Sequence, residues 1–268
     1  MRRITATILA APILLCAAAA RGDEAAVART WAQAQVYVRY ETEDLTYGVI
    51  GGPLAASYMS RLLDRFAATE PQPVIIHLHG CGRSDGLSDI QSEGRAMAEM
   101  GFIVVSPDSF ARPGRPQSCD PRKAERDPEA PYALLNQYRQ EELRYALAQV
   151  LAAPWADHNH IFISGFDEGA DAVLGFRDPA VLGRIAIGAP CRFEPVVDAK
   201  LPTLLIIARD DLWFSAIHEP AMAGQCRRKL GGRPNVTILE PEGVLHDALI
   251  YNEAKIALWN FLVRASFL

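Results

Sequence analysis

Short apolar runs recur along the chain, separated by helical or loop stretches, and this alternation constrains the fold more than any other feature of the sequence. "PVIIHLH" (Pro73 to His79) is a continuous apolar run, as suits a central parallel strand covered on both faces. "DIQSEGRAMAEMG" has the spacing of a helix closed by Gly101, and "FIVVS" follows as the next strand. "HIFIS", "RIAIG", "TLLII" and "VTILE" are further strands, while "QVYVRYE" (Gln35 to Glu41) alternates as a half-buried edge strand would. "ALLNQYRQEELRYALAQVLAA" is amphipathic, with Leu135, Tyr138, Leu143, Leu147 and Val150 near one face, and "AKIALWNFLVRASF" forms a last helix. From Arg112 to Pro131 proline, arginine and acids replace any apolar period, which predicts a long loop and no element. The pattern predicts one α/β domain with a mainly parallel sheet, and function at the strand ends.

The chain of 268 residues, 50% hydrophobic and 22% charged, is long enough for one large core. "MRRITATILAAPILLCAAAA" puts Arg2 and Arg3 before an apolar run ending in small residues, the layout of a secretory signal peptide. Residues 1–20 are therefore expected to be removed, leaving 21–268 as the domain. Pro12 inside the run favours processing over an uncleaved anchor, so no stable membrane insertion is expected after cleavage. Leu15 before Cys16 argues against lipoprotein processing. Loss of the leader moves the formal charge from −5 to −7, and nothing basic points to a nucleic-acid partner. The expected location is the periplasm or the exterior, where Cys81, Cys119, Cys191 and Cys226 can form disulfides. Three pairings are possible, of which Cys81 with Cys119 and Cys191 with Cys226 is favoured. CxxC spacing is absent, so no metal is expected, and no cofactor motif stands out.

Three loops after strands carry polar residues in the order nucleophile, acid, histidine. "GFDEG" (Gly165 to Gly169) has the glycines of a sharp strand-to-helix turn around Asp167, although an ordinary turn with Asp167 as a helix cap has the same letters. "LLIIARDDLW" offers Asp210 or Asp211 as a histidine's partner, with Asp210 preferred, and "GVLHDALI" supplies His246. Upstream, "HLHGCGRSDG" sets a glycine-rich turn after the first central strand, where the Cys81 N–H can face a developing oxyanion together with that of Glu168. His77 and His79 are expected to be structural. Arg112, Arg115 and Arg122 are candidates to contact an anionic ligand, or simply solubilise their loop.

These segments, with "GFIVVSPDSFARPGRPQSC" and "GAPC", make the chain resemble the dienelactone hydrolase family of the α/β-hydrolase fold, especially a secreted branch with "HGCG" and "DSF". The resemblance runs from about Pro73 to the C-terminus. It implies an eight-stranded, largely parallel sheet with helices on both faces and no cap domain. It also implies a nucleophile at Asp167, an acid at Asp210, His246 as the base and an oxyanion hole from Cys81 and Glu168, and it supports pairing Cys191 with Cys226 in "GQC".

The departure from that family is Asp167 itself, where a serine or cysteine would attack an ester carbonyl. A carboxylate attacking an ester would give an anhydride, a poor intermediate. Attack on a saturated carbon with a leaving group gives instead an ordinary ester that water can cleave. Families that use aspartate in this way usually show "HGxP", an aromatic after the aspartate, and a cap inserted before the acid. Here "HGCG" and Glu168 stand in the first two places, and only 43 positions separate Asp167 from Asp210. Ser164, Ser84 and Ser88 offer no substitute nucleophile. The expectation is a secreted hydrolase of a small organic substrate with Asp167 as an atypical nucleophile, and the alternative is an inactive hydrolase fold kept for binding. Oligomeric state is not legible.

Overall fold

The computed structural model describes residues 24–41, 47–82, 88–120, 125–127, 129–196, 198–214, 222 and 224–266. The expected leader at 1–20, Ser84 and Arg122 lie outside the described residues. An eight-stranded sheet runs in the order β10-β9-β8-β7-β3-β4-β1-β2. It comprises β1 (Gln35–Glu41), β2 (Tyr47–Pro53), β3 (Gln72–Leu78), β4 (Ile103–Ser106), β7 (Ala156–Phe166), β8 (Gly183–Ile187), β9 (Thr203–Ile206) and β10 (Val236–Leu239). The six strands from β10 to β4 are parallel, while β1 is antiparallel to both β4 and β2.

Burial explains the composition of these strands. Val74, Ile75, Ile76 and Leu78 of β3 and Ile161, Phe162 and Ile163 of β7 have almost no exposure, because helices cover both faces. On one face Met59 and Leu63 of α2 (Ser57–Ala68), Leu143, Leu147 and Val150 of α4 (Tyr132–Ala152) and Val173 of α5 (Glu168–Leu174) meet the sheet. On the other, Met97 and Ala98 of α3 (Ser88–Glu99) pack with Leu258 and Leu262 of α7 (Asn252–Ser266). Each buried aliphatic or aromatic side chain contributes about 1.5–3 kcal/mol of transfer free energy. A short α1 (24–32) precedes β1, and α6 (Gln225–Leu230) closes beside β9 through Leu230 and Cys226. Among the described residues no helix is long and apolar enough to cross a membrane.

The segment expected as an unstructured loop after Arg112 contains a short 3₁₀ turn before it and one small pairing within it. β5 (Cys119–Asp120) runs antiparallel to β6 (Glu125–Arg126). Two-residue strands carry no periodicity, so the pattern could not register them. β2 was equally hidden, since its sequence "YGVIGGP" has no alternation of apolar and polar residues.

The chain turns from β7 into α5 where the backbone must come very close to β3. A Cβ on Gly169 would lie 2.1 Å from the Leu78 carbonyl oxygen, and one on Gly165 would lie 2.3 Å from the Gly169 carbonyl. Both contacts are with backbone, which cannot swing aside. Gly165→Ala and Gly169→Ala are each expected to lower stability by about 3 kcal/mol or fail to fold, as read from urea denaturation beside the wild type.

Candidate active site

Asp167 occupies the apex between these glycines with φ 54° and ψ −116°, a conformation L-residues rarely adopt. Its N–H donates to the Ile187 carbonyl of β8 (2.9 Å), and its carbonyl accepts from the Ala170 N–H at the start of α5 (3.0 Å). The residue thus links strand to helix and turns its side chain out beyond the carboxyl ends of β3, β7 and β8. An ordinary helix cap does not describe it, for its side chain caps no N–H of α5.

The carboxylate is 2% exposed, and its two oxygens have separate surroundings. Oδ2 accepts from the Cys81 N–H (3.1 Å), and Oδ1 is 3.7 Å from Nε2 of His246. The other imidazole nitrogen, Nδ1, donates to Oδ2 of Asp211 (2.7 Å). Asp211 Oδ1 accepts in turn from the Trp213 N–H (2.8 Å), which holds the carboxylate in its loop after β9. The preference for Asp210 is corrected here. Asp210 is exposed, whereas Asp211 is buried and faces the imidazole, because the turn after β9 points successive side chains in different directions.

Burial by itself would push the His246 pKa down. The charge of Asp167, with the hydrogen bond and charge of Asp211, outweighs it and raises the value to about 9, so the imidazolium form prevails at neutral pH. Phe166, Trp213 and Phe214 surround the ring at centroid distances of 4.9, 5.4 and 5.3 Å and limit water around it. A second carboxylate, Asp171, lies one turn further along α5. Burial raises it to about 7, with the Asp167 charge adding to the effect and Arg192 opposing it.

The Cys81 turn is built by buried polar groups. Cys81 is bonded to Cys119 and Cys191 to Cys226, the pairing favoured from the sequence. Each bridge restricts the unfolded chain, on the order of 2–4 kcal/mol. His79 is fully enclosed and its pKa is pushed well below 6.5 by burial and by Arg139, which makes it neutral. Its Nε2 accepts from the Ser109 N–H (3.1 Å), which leaves the proton on Nδ1, 2.8 Å from the Gly80 carbonyl. His77 is also neutral, pushed down to about 3 by burial and Arg139. It lies between Glu93 (2.7 Å) and Ser164 (3.2 Å) inside the sheet. Both histidines are therefore structural parts of β3 and its turn. Ser164 is buried with His77, away from the elbow.

Glu168, the expected second oxyanion donor, is the first residue of α5, and its side chain pairs with Arg115 (2.9 Å). Arg112 pairs with Glu141 (2.6 Å) and lies over the Tyr138 ring. Both arginines are buried against internal partners, so neither of the two alternatives left open for them, contact with an anionic ligand or solubilising the loop, describes them. The sequence reading also missed Arg139 and Glu142, which are fully buried on the inner face of α4 among leucines. Their charge masked the signal, since a period built on apolar letters assigns such residues to the surface. No group of histidine, cysteine and acid side chains suited to a metal occurs among the described residues.

No family model matches the chain, and no curated protein matches it in sequence. Solved structures do match. A Klebsiella pneumoniae protein assigned as a dienelactone hydrolase is 14% identical, with 87% of this chain and 98% of that one covered and a TM-score of 0.50. A dienelactone hydrolase-like promiscuous phosphotriesterase from metagenomic libraries is 13% identical, with 87% and 99% covered and a TM-score of 0.51. An esterase of Pyrococcus furiosus is 14% identical, with 85% and 91% covered and a TM-score of 0.50. At these identities the likeness is one of fold. The chain is a single-domain α/β-hydrolase fold of the form found in dienelactone hydrolase-like esterases.

The folded-state value of about 9 for His246, against 6.5 for a free imidazole, adds stability that is complete below about pH 6.5 and is lost as pH rises through 9. Asp211→Asn is expected to bring the His246 titration, followed by NMR, down toward the ordinary value and to cost on the order of 3 kcal/mol at pH 7. Asp210→Asn should leave the titration in place and change stability by less than about 0.5 kcal/mol.

Proposed function

We propose that the protein is a hydrolase of small organic molecules in which Asp167 attacks a saturated carbon bearing a leaving group, such as a haloalkane or an epoxide. The observation that carries this reading is the division of labour between the two Asp167 oxygens. Oδ2 already sits on the Cys81 N–H, and Oδ1 is directed toward His246. A serine hydrolase uses such an N–H for the substrate's carbonyl oxygen. Here the same donor serves the enzyme's own ester.

In the first step Oδ1 bonds to carbon, and the leaving group departs with the electron pair of its bond. Halide leaves as the anion, whereas the alkoxide of an opened epoxide takes the proton of the His246 imidazolium. A carboxylate needs no base for this step, so a charged His246 is no obstacle. Esterification removes one of the two negative charges that hold the imidazolium. Its pKa falls, and in the halide case it releases its proton to solvent. The neutral ring then takes a proton from water, whose oxygen attacks the Asp167 carboxyl carbon. The negative charge developing on Oδ2 is met by the N–H groups of Cys81 and Glu168. Collapse expels the product alkoxide, which recovers a proton from His246 and leaves as the alcohol; the Asp167 carboxyl group then passes the water's remaining proton to His246, which restores the carboxylate and the imidazolium. Asp211 keeps the imidazole oriented throughout.

A secreted or periplasmic location supports a small-molecule substrate met outside the cytoplasm. Residues 1–20 read as a leader, and the two disulfides are compatible with an oxidising compartment. One observation favours the competing reading, an inactive fold kept for binding. With Asp167 only 2% exposed, its carboxylate and the imidazolium form a closed ion pair.

The two readings separate in one experiment. His246→Ala incubated with haloalkanes is expected to gain the mass of an alkyl group on a peptide containing Asp167, since that ester can form without His246 but not be cleaved, while epoxides, whose ring opening draws on the His246 proton, and simple esters are followed by turnover in the wild type. Absence of any adduct or turnover across the panel would overturn the hydrolytic reading. Asp167→Ser provides a complementary readout: esterase activity is expected to appear if His246 and the oxyanion donors are arranged for catalysis.

A further inference from the structure

The peptide unit joining Gly80 to Cys81 carries both the donor that faces Asp167 and, on its opposite side, the Gly80 carbonyl. The carbonyl accepts from Nη2 of Arg139 (3.0 Å), and the same nitrogen donates to the His79 carbonyl (2.5 Å). His79 Nδ1–H adds a second donor to the Gly80 oxygen (2.8 Å). Because the N–H and C=O of one trans peptide point in opposite directions, fixing the carbonyl fixes the N–H. Rotation of this peptide would aim its oxygen at the Asp167 carboxylate and break the Arg139 contact.

The network continues past Arg139. Its Nη1 is 3.7 Å from Oε2 of Glu142, whose Oε1 accepts from the Ser109 hydroxyl (2.8 Å). Arg115 Nε donates to the same hydroxyl oxygen (2.9 Å), and Arg115 Nη2 reaches Oε2 of Glu168 (2.9 Å). Two cations and two carboxylates thus alternate along one buried chain. It starts at the peptide bearing the Cys81 N–H and ends on the side chain of Glu168, the residue whose N–H is expected as the other donor.

We propose that Arg139 is a positioning residue for the oxyanion hole, and that the buried chain Arg139–Glu142–Ser109–Arg115–Glu168 braces both of its donors as one unit. A guanidinium on the carbonyl also polarises the peptide and strengthens its N–H as a donor. This explains why α4 commits a fully buried arginine and a fully buried glutamate to a face otherwise occupied by aliphatic side chains. The assignment rests on the reading of Cys81 N–H as an oxyanion donor. It does not depend on which substrate is hydrolysed.

The test measures amide hydrogen exchange and the amide proton shift of Cys81 by NMR, beside urea denaturation, in Arg139→Gln, Arg139→Lys and Ser109→Ala. A merely structural role would speed exchange throughout the core in proportion to lost global stability. Positioning predicts a further acceleration at Cys81 of about tenfold in Arg139→Gln, the equivalent of one net hydrogen bond, together with an upfield amide shift. Arg139→Lys, which keeps the charge, should restore part of both effects, and Ser109→Ala should give a smaller selective change. If Arg139→Gln does not fold, the other two variants decide. Cys81 exchange that follows neighbouring core amides in every folded variant would overturn the proposal. Because these readouts need no turnover, they stand or fall separately from the alkylation experiment.

Discussion

The close approach of Gly169 to the Leu78 carbonyl is the constraint on which the site depends. Only residues without a Cβ at positions 165 and 169 allow β7 to turn into α5 this near to β3, and that turn forces Asp167 to positive φ. Once there, the side chain is directed between the Cys81 turn after β3 and the His246 loop after β10. The parallel order of β3, β7, β8 and β9 places the loops carrying Cys81, Asp167 and Asp211 at the same edge of the sheet, and Asp211 draws His246 to it. A polar constellation assembled from residues more than a hundred positions apart thus follows from one backbone contact and the strand order.

Electrostatics then decides what that constellation can do. An imidazole between two carboxylates is held as its cation, which suits a nucleophile that is already an anion and would hinder one that first had to lose a proton. In the proposed mechanism the charge on Asp167 is thus both the reactive group and the control on its base. Further back, buried arginines and glutamates neutralise one another around the Cys81 turn. Breaking such a network exposes uncompensated charge in a medium of low dielectric, so its members act together.

Much of this was legible in the sequence because apolar periodicity reports burial. The central strands and the long helices stand where their patterns place them, and the glycines around Asp167 marked a sharp turn, whereas Gln35–Glu41 is a strand that lies inside the sheet between β4 and β2 and not at an edge, because the unpatterned β2 covers its free side. The pairs Cys81–Cys119 and Cys191–Cys226 were favoured among three possibilities. What stayed hidden lacked a local pattern: the glycine-interrupted β2, the two-residue β5 and β6, and the charged residues of α4 that face inward. Arg112 and Arg115, open in the sequence between contacting a ligand and solubilising their loop, were hidden for the same reason. Their partners, Glu141 and Glu168, lie on other elements.

By itself, then, the sequence determined the alternation of strands and helices, the turn at Asp167, and the order in which Asp167, an aspartate after "LLIIAR" and His246 arrive. Those features are written in residue spacing. Only the tertiary structure decided that Asp211 and not its neighbour meets His246, that Asp167 shares its carboxylate between the Cys81 N–H and the imidazole, and that Arg139 grips the back of the Gly80–Cys81 peptide. Each of these is a contact between segments far apart in the chain. Its geometry is fixed by a turn conformation and by the packing of α4 against the sheet, neither of which leaves a period in the sequence.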